Sequence, residues 1–289
     1  MVIPNGEGEI GMKTEFTGRA SSYTKGRPPY PKGILEFIRS LGADDQSRIA
    51  DIGAGTGRLT HLLGELDVFI TAVEPSADML AECRHTCRDN QRVSYMEALA
   101  EETRLETGSV DFITVAKAFH WLDKDRCRTE FQRILKPGGR VLLIWNSMKG
   151  DDPFVEAYSN VLQDFTIKQT AGNASGDHLK AKRELFGSDI KIVQMDNAHT
   201  LDEEELIHHG LSLSYTPSVD HPEYQSFVNA LGTLFREHCQ GGSLTIPYET
   251  EVSIGSFEVR DMKDERIDLV TGTRHEDMRK KVAAWLEES

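Results

Sequence analysis

The ten residues Arg48-Ile-Ala-Asp-Ile-Gly-Ala-Gly-Thr-Gly57 constrain this chain more than any other stretch. An apolar run ends at Asp51-Ile52, glycines follow at 53, 55 and 57, and Arg58-Leu-Thr-His-Leu-Leu63 has the spacing of an amphipathic helix. That sequence reads as a strand, a tight loop and a helix start. Glycine tolerates positive φ and places no Cβ between backbone and ligand, so main-chain N–H groups of the loop are free to face a nucleoside. The spacing is neither the G-x-G-x-x-G of a dinucleotide loop nor a phosphate-binding loop, which needs Gly-Lys followed by Ser or Thr. Asp51, two residues before the first glycine, falls at the carboxyl end of the strand, where it repels a diphosphate and suits a cationic ligand. Many glycine-rich turns do no more than pack a helix on a strand, so the following strands carry the decision.

Val68–Val73 reads as a buried strand with Glu74 at its carboxyl end, followed by Pro75, a capping Ser76 and a helix from Ala77 to Arg88. Glu74 stands where nucleoside-binding folds place a ribose anchor; its plainer role is to complement the helix amino terminus, an effect of at most about 1 kcal/mol. Pro75 and Met79 are placed to flank a base. Val93–Met96 is a third strand, and Gly108–Ala116 a fourth that runs into Lys117-Ala-Phe-His-Trp121. Ligands of a doubly wound sheet sit at the carboxyl ends of its strands, so Ala116, Phe119, His120 and Trp121 are expected at a pocket. His120 is then either a structural histidine or a proton acceptor. A helix from Asp123 to Leu135, a turn at Pro137-Gly138-Gly139 and a strand from Arg140 to Asn146 that carries Trp145 complete this half.

Residues 1–14 carry little hydrophobic pattern and read as a disordered lead-in. From Phe16 to Pro31, aromatic and basic residues are interrupted by prolines, which suits either an arm folded over a ligand or a surface arm packing Tyr23 and Tyr30. Pro31 opens a helix through Leu41. Beyond Asn146 the pattern gives a helix from Pro153 to Phe165, a polar stretch from Gln169 to Asp177 and a strand from Lys191 to Asn197. Two helical segments follow, Asp202–Ser214 and Pro222–Cys239. Leu244–Ile254 reads as an antiparallel edge strand, a place where Pro247 is tolerated. Residues 258–289 are highly charged, end in a helix from Glu276 to Glu287, and are given no role.

With 289 residues the chain can hold one large α/β domain with a lid or two smaller ones. The 33 basic and 47 acidic residues give a formal charge of −14, which argues against nucleic acid as a partner. No apolar run approaches a membrane span, the amino terminus lacks a signal core, and four scattered cysteines do not form a disulfide framework. A cytoplasmic protein with free thiols is expected. Cys83 and Cys87 share a helical face, but nothing completes a tetrahedral set, so no metal is expected.

Asp51–Gly57, Val73-Glu74-Pro75, Val110-Asp111, Ala118-Phe-His-Trp121 and Leu135-Lys-Pro-Gly-Gly139 occur in an order and spacing that resembles the class I S-adenosylmethionine (SAM) methyltransferases. The branch is the small-molecule one that includes the trans-aconitate methyltransferase-like proteins, within the methyltransferase type 11 group. Phe16-Thr-Gly-Arg-Ala, Tyr23, Arg27-Pro, Tyr30-Pro and Leu211-Ser-Leu-Ser-Tyr215 extend the resemblance over about residues 15–257. It implies a Rossmann-like, doubly wound, mostly parallel seven-stranded sheet with an antiparallel last strand and a helical lid from about 15–31, 153–189 and 202–240. It also implies SAM as cofactor and a small molecule as methyl acceptor, with a carboxylic acid as the candidate. Tyr23, Arg27, Asp51, Gly53, Ala54, Gly55, Gly57, Glu74, Pro75, Met79, Ala100, Glu101 and Ala116 would meet the cofactor. Leu99 stands where relatives often carry an acidic residue, which leaves the adenine-edge contact to Glu101 or a water. Tyr30, Phe119, His120, Trp121, Trp145 and Tyr215 would form the acceptor pocket, with His120 the candidate base. A SAM-binding protein without turnover and an NAD-dependent oxidoreductase are the alternatives; the oligomeric state is left open.

Overall fold

The computed structural model describes residues 26–167, 178–186, 190–255, 257 and 267–271. The expected lead-in, Tyr23, the polar stretch from Gln169 to Asp177 and the helix from Glu276 to Glu287 lie outside the described residues. Eight strands are β1 (Arg48–Ile52), β2 (Phe69–Val73), β3 (Val93–Met96), β4 (Val110–Ala116), β5 (Leu135–Met148), β6 (Ile190–Leu201), β7 (Leu244–Gly255) and β8 (Ile267–Thr271). Their order in the sheet is β3-β2-β1-β4-β5-β7-β6-β8. The expected seven strands are therefore present, and an eighth, from the charged carboxyl-terminal segment, pairs in parallel with β6. The chain divides into two compact units, and β5, β6 and β7 each contribute residues to both.

The larger unit comprises residues 30–147, 175–197 and 249–289. Strands β3, β2, β1, β4 and β5 pair in parallel. Parallel strands are buried on both faces, and β1 and β4 accordingly read as apolar runs without alternation. One face packs against α1 (Gly33–Ser40) and α2 (Arg58–Leu63) through Ile34, Phe37, Ile38, Leu59 and Leu63. On the other, Ile113, Val115, Leu143 and Ile192 meet Phe131 and Ile134 of α4 (Lys124–Ile134) and Leu185 of α6 (His178–Phe186). α3 (Ala77–Thr86) begins at Ser76, whose hydroxyl accepts the Met79 N–H as expected of the cap.

Two expectations are corrected. Pro137-Gly138-Gly139 is not a turn ahead of the strand but part of β5, where the pairing jumps from Val110–Leu135 to Phe112–Arg140 and extra residues bulge out of the ladder. Leu244–Ile254 is antiparallel to β5, since Lys149 N–H reaches Pro247 O at 3.0 Å while Asn146 meets Thr250. It is no edge strand, however, because β6 pairs on its far side. Pro247 is tolerated there for a different reason: the donor it lacks would serve Lys149, just past the last residue of β5.

The smaller unit holds residues 1–29, 148–174 and 198–248. Asp152 caps α5 (Pro153–Asp164), accepting the N–H groups of Phe154 and Val155 with proline at the first helical turn. Asp202 and Glu205 form a capping box that starts α7 (Glu203–Leu211). With α8 (Tyr224–His238) these helices bury Leu162, Leu206, Phe227, Leu231 and Phe235. Within that core His209 bridges two phenols, Tyr158 Oη at 2.6 Å from Nδ1 and Tyr248 Oη at 2.9 Å from Nε2. All three residues are buried. Burial pushes the Tyr158 and Tyr248 phenols well above their usual pKa, so both stay neutral hydrogen-bonding groups, while the nearby Arg27 charge acts the other way. Tyr158→Phe would leave one histidine nitrogen buried without its partner. We expect it to lower unfolding stability by about 1–3 kcal/mol in denaturant titration; an unchanged midpoint would mean the bridge contributes nothing.

Candidate functional site

Asp51 is the penultimate residue of β1, and it is buried, only 1% exposed. Thr60 of α2 donates to one oxygen at 2.6 Å and Thr114 of β4 to the other at 2.8 Å. Burial drives its pKa up to about 6, against the pull of the two hydroxyls. One side chain thus ties together the strand before the glycine loop, the helix after it and the neighbouring strand. Thr60 and Thr114 were not singled out from sequence; the signal for Thr114 is a lone hydroxyl in the apolar run Val110–Ala116.

Four of the loop N–H groups already have partners within the protein. Those of Gly53 and Ala54 donate to Val73 O at 2.8 and 3.1 Å, and Gly57 donates to Ala54 O at 3.0 Å. Gly55 N–H donates to Glu74 Oε2 at 3.0 Å, and Ser76 N–H to the other carboxylate oxygen at 3.0 Å. Glu74 is buried, and desolvation raises its pKa against these two bonds. Each glutamate oxygen accepts one described hydrogen bond and has a second lone pair to offer.

The glycines differ in what a side chain would meet. A Cβ at Gly53 would lie 2.6 Å from Ala118 Cβ, so the end of β4 packs directly on the loop. At Gly55 φ is +56° and a Cβ would meet nothing within 4 Å. That position combines a left-handed backbone with open space in front of it, which is the geometry a cofactor cradle requires. The Thr56 hydroxyl beside it is buried without a hydrogen-bond partner among the described residues. Pro75 and Met79 are buried next to Glu74 in the chain, Ala100 is buried, and Ala116 is partly exposed at the end of β4. Glu101 accepts the Asp123 N–H at 2.9 Å and so supports the start of α4.

His120 lies in a short 3-10 turn, Phe119–Trp121, directly after β4. Its ring centroid is 4.7 Å from that of Trp121 and 5.1 Å from that of Trp145. Trp121 is 41% exposed, whereas Phe119 is buried in the core. The face of Trp145 is covered by the Lys117 ammonium, 3.9 Å from the ring centroid. Lys117 holds a left-handed backbone with φ of 54°, a strained conformation for lysine, and its Nζ reaches Asn146 O at 3.3 Å. Sequence reasoning missed it, since lysine carries no preference for that backbone. Tyr30 packs against the core of the larger unit. Arg27 and Tyr215 belong to the smaller unit, where the Arg27 guanidinium donates to Ser212 O at 3.0 Å, just past the end of α7.

The buried Asp51 makes stability depend on pH. Its pKa near 6 in the fold exceeds the unfolded value of 3.8, so the folded state binds the extra proton between them. Stability therefore falls as pH rises through roughly 4 to 6, by up to about 3 kcal/mol. In Asp51→Asn that slope is removed. The difference in unfolding free energy between variant and wild type is expected to shift in favour of the variant by about 1–3 kcal/mol from pH 4 to pH 7; a constant difference would contradict a buried, titrating carboxyl.

Comparisons with known proteins bear on the same residues. Residues 50–143 match the model of the family described as methyltransferase domain (Methyltransf_11). A protein of Mycobacterium tuberculosis named as an uncharacterized methyltransferase is 38% identical over 136 residues, which are 47% of this chain and 54% of that one. The chain thus spans about half the length of the curated relatives it matches. Among solved structures, a putative type II methyltransferase from Anaeromyxobacter dehalogenans has a TM-score of 0.58 at 19% identity, covering 80% of this chain and 98% of that one. A SAM-dependent methyltransferase from Geobacter sulfurreducens in complex with S-adenosyl-L-homocysteine scores 0.50 at 14% identity, covering 83% and 96%. These two likenesses concern the fold alone. Residues 50–143, with Asp51, the glycine loop and Glu74 among them, are the part of this chain that is similar to the methyltransferase domain family.

Proposed function

We propose that the protein transfers the methyl group of SAM to a small-molecule acceptor and releases S-adenosylhomocysteine. The observation that carries this reading is the Glu74 carboxylate at the end of β2, bonded to Gly55 N–H at the one loop glycine with open space before it. Glu74 would accept the two ribose hydroxyls on its remaining lone pairs, and Pro75 and Met79 would flank the adenine, with Ala100 and Glu101 at its edge. Gly53, Ala54, Gly55 and Gly57 would shape the cradle, Ala116 would close it from β4, and Asp51 would act by holding the loop. Arg27 and Tyr23 are proposed to pair with the cofactor carboxylate. The fold neighbour crystallised with S-adenosylhomocysteine supports the choice of cofactor.

Bound SAM supplies an electrophilic methyl on a sulfonium, so the protein's task is alignment and exclusion of water. Tyr30, Phe119, Trp121, Trp145 and Tyr215 are proposed to surround the acceptor. A carboxylate would attack without a base; a hydroxyl or amine would pass its proton to His120, at the end of β4 between two indoles. The net charge of −14 favours a small acceptor over nucleic acid, and the free cysteines suit the reducing cytoplasm. None of the described helices is long and apolar enough to cross a membrane. The motifs of the chain are the basis for proposing the trans-aconitate methyltransferase-like branch.

Two substitutions test this assignment. Glu74→Ala is expected to weaken S-adenosylhomocysteine binding by about 2 kcal/mol or more in calorimetry, because a charged acceptor is lost. Unchanged affinity in the folded variant would remove Glu74 from the site. For His120→Gln, turnover should fall while S-adenosylhomocysteine affinity stays within a few-fold; equal losses would move His120 to the cofactor side.

A further inference from the structure

Within the larger unit, residues of β4, β5, β7 and α6 enclose a cavity of about 80 Å³. Val115, Phe119, Leu143 and Trp145 make most of its wall, and Lys182 and Glu251 supply its polar groups. Lys182 is only 9% exposed, and its ammonium donates to Glu251 Oε1, which also accepts the Ser253 hydroxyl at 2.9 Å. Among the described residues Glu251 is the acceptor that Lys182 meets. An ammonium has three N–H donors, so two remain to be satisfied at a largely apolar wall. Leaving them bare is costly at this depth, and what fills the cavity must bring an oxygen to Lys182.

The charge of that oxygen follows from the pair. Glu251 already neutralises Lys182, so a second carboxylate would lie beside the first and be repelled by it. A carbonyl or hydroxyl oxygen satisfies the ammonium without that repulsion. The cavity also has a link to the candidate acceptor side. Trp145 lines it and stands 5.1 Å from the His120 ring, and Phe119 opens the same short turn as His120. We propose that this cavity lodges a neutral, apolar, oxygen-bearing part of the methyl acceptor, with its oxygen accepting from Lys182 Nζ. The link to an acceptor rests on the methyltransferase reading; the cavity's preference for a neutral oxygen does not.

The test uses the full chain with labelled methyl groups on Val115, Leu143 and Ile144, titrated with cyclopentanone, cyclopentane and cyclopentanecarboxylate in NMR. Calorimetry with S-adenosylhomocysteine runs in parallel. Cyclopentanone should shift these methyls saturably and bind more tightly than the carboxylate. Lys182→Met should weaken the ketone at least fivefold and leave cyclopentane unchanged. Should that variant fail to fold because Glu251 is left unpaired, the double variant Lys182→Met with Glu251→Gln serves in its place. Absence of a saturable shift, tighter binding of the carboxylate, or equal losses for ketone and hydrocarbon would overturn the proposal. Intact S-adenosylhomocysteine binding with no ketone binding overturns the cavity assignment alone. The reverse pattern overturns its connection to the acceptor.

Discussion

The buried carboxylate of Asp51 is the interaction on which the candidate site depends. Two threonine hydroxyls hold it, one from the helix after the glycine loop and one from the adjacent strand. A carboxyl at that depth is unfavourable when charged, and the fold carries this cost in a marginally stable protein. The return is geometric. With β1, α2 and β4 fixed to one group, the loop between them can spend its N–H groups on Val73 O and Glu74 and keep its left-handed turns. The opening before Gly55 is a consequence of that arrangement rather than of the glycines alone.

How much of this was legible in the sequence depends on the range of the interaction. The Gly53–Gly57 loop, the Ser76 cap and Glu74 at a strand end are local features, and each follows from a few consecutive residues. Strand neighbours are not local. Leu244–Gly255 alternates over its first eight residues, which fits an edge, yet its last four, Val252 to Gly255, are continuously buried, as an interior strand requires. The bulge at Pro137-Gly138-Gly139 was misread because the same residues suit a turn equally well. The Tyr158–His209–Tyr248 bridge joins residues about fifty and forty positions apart, and nothing in their spacing announces it.

The candidate chemistry divides along the same line. Groups proposed for the cofactor come from several short local motifs, so sequence patterns name them, and the family match covers all but Tyr23 and Arg27. Groups proposed for the acceptor come from separate segments, including Trp145 of β5, Lys182 of α6 and Glu251 of β7. Lys117 illustrates the difficulty: its strained backbone and its contact with Trp145 emerge only when β4 and β5 are side by side.

The central claim is that the loop from Gly53 to Gly57, held by Asp51 and closed by Glu74, is a SAM site. Its most direct measurement is NMR of the wild-type chain, following the amide resonances of Gly53, Gly55, Gly57 and Ser76 during titration with S-adenosylhomocysteine and, separately, NAD. The account predicts saturable one-to-one shifts of these amides with S-adenosylhomocysteine and none with NAD. Shifts confined to NAD, or saturating S-adenosylhomocysteine binding that leaves these four amides unmoved, would contradict it.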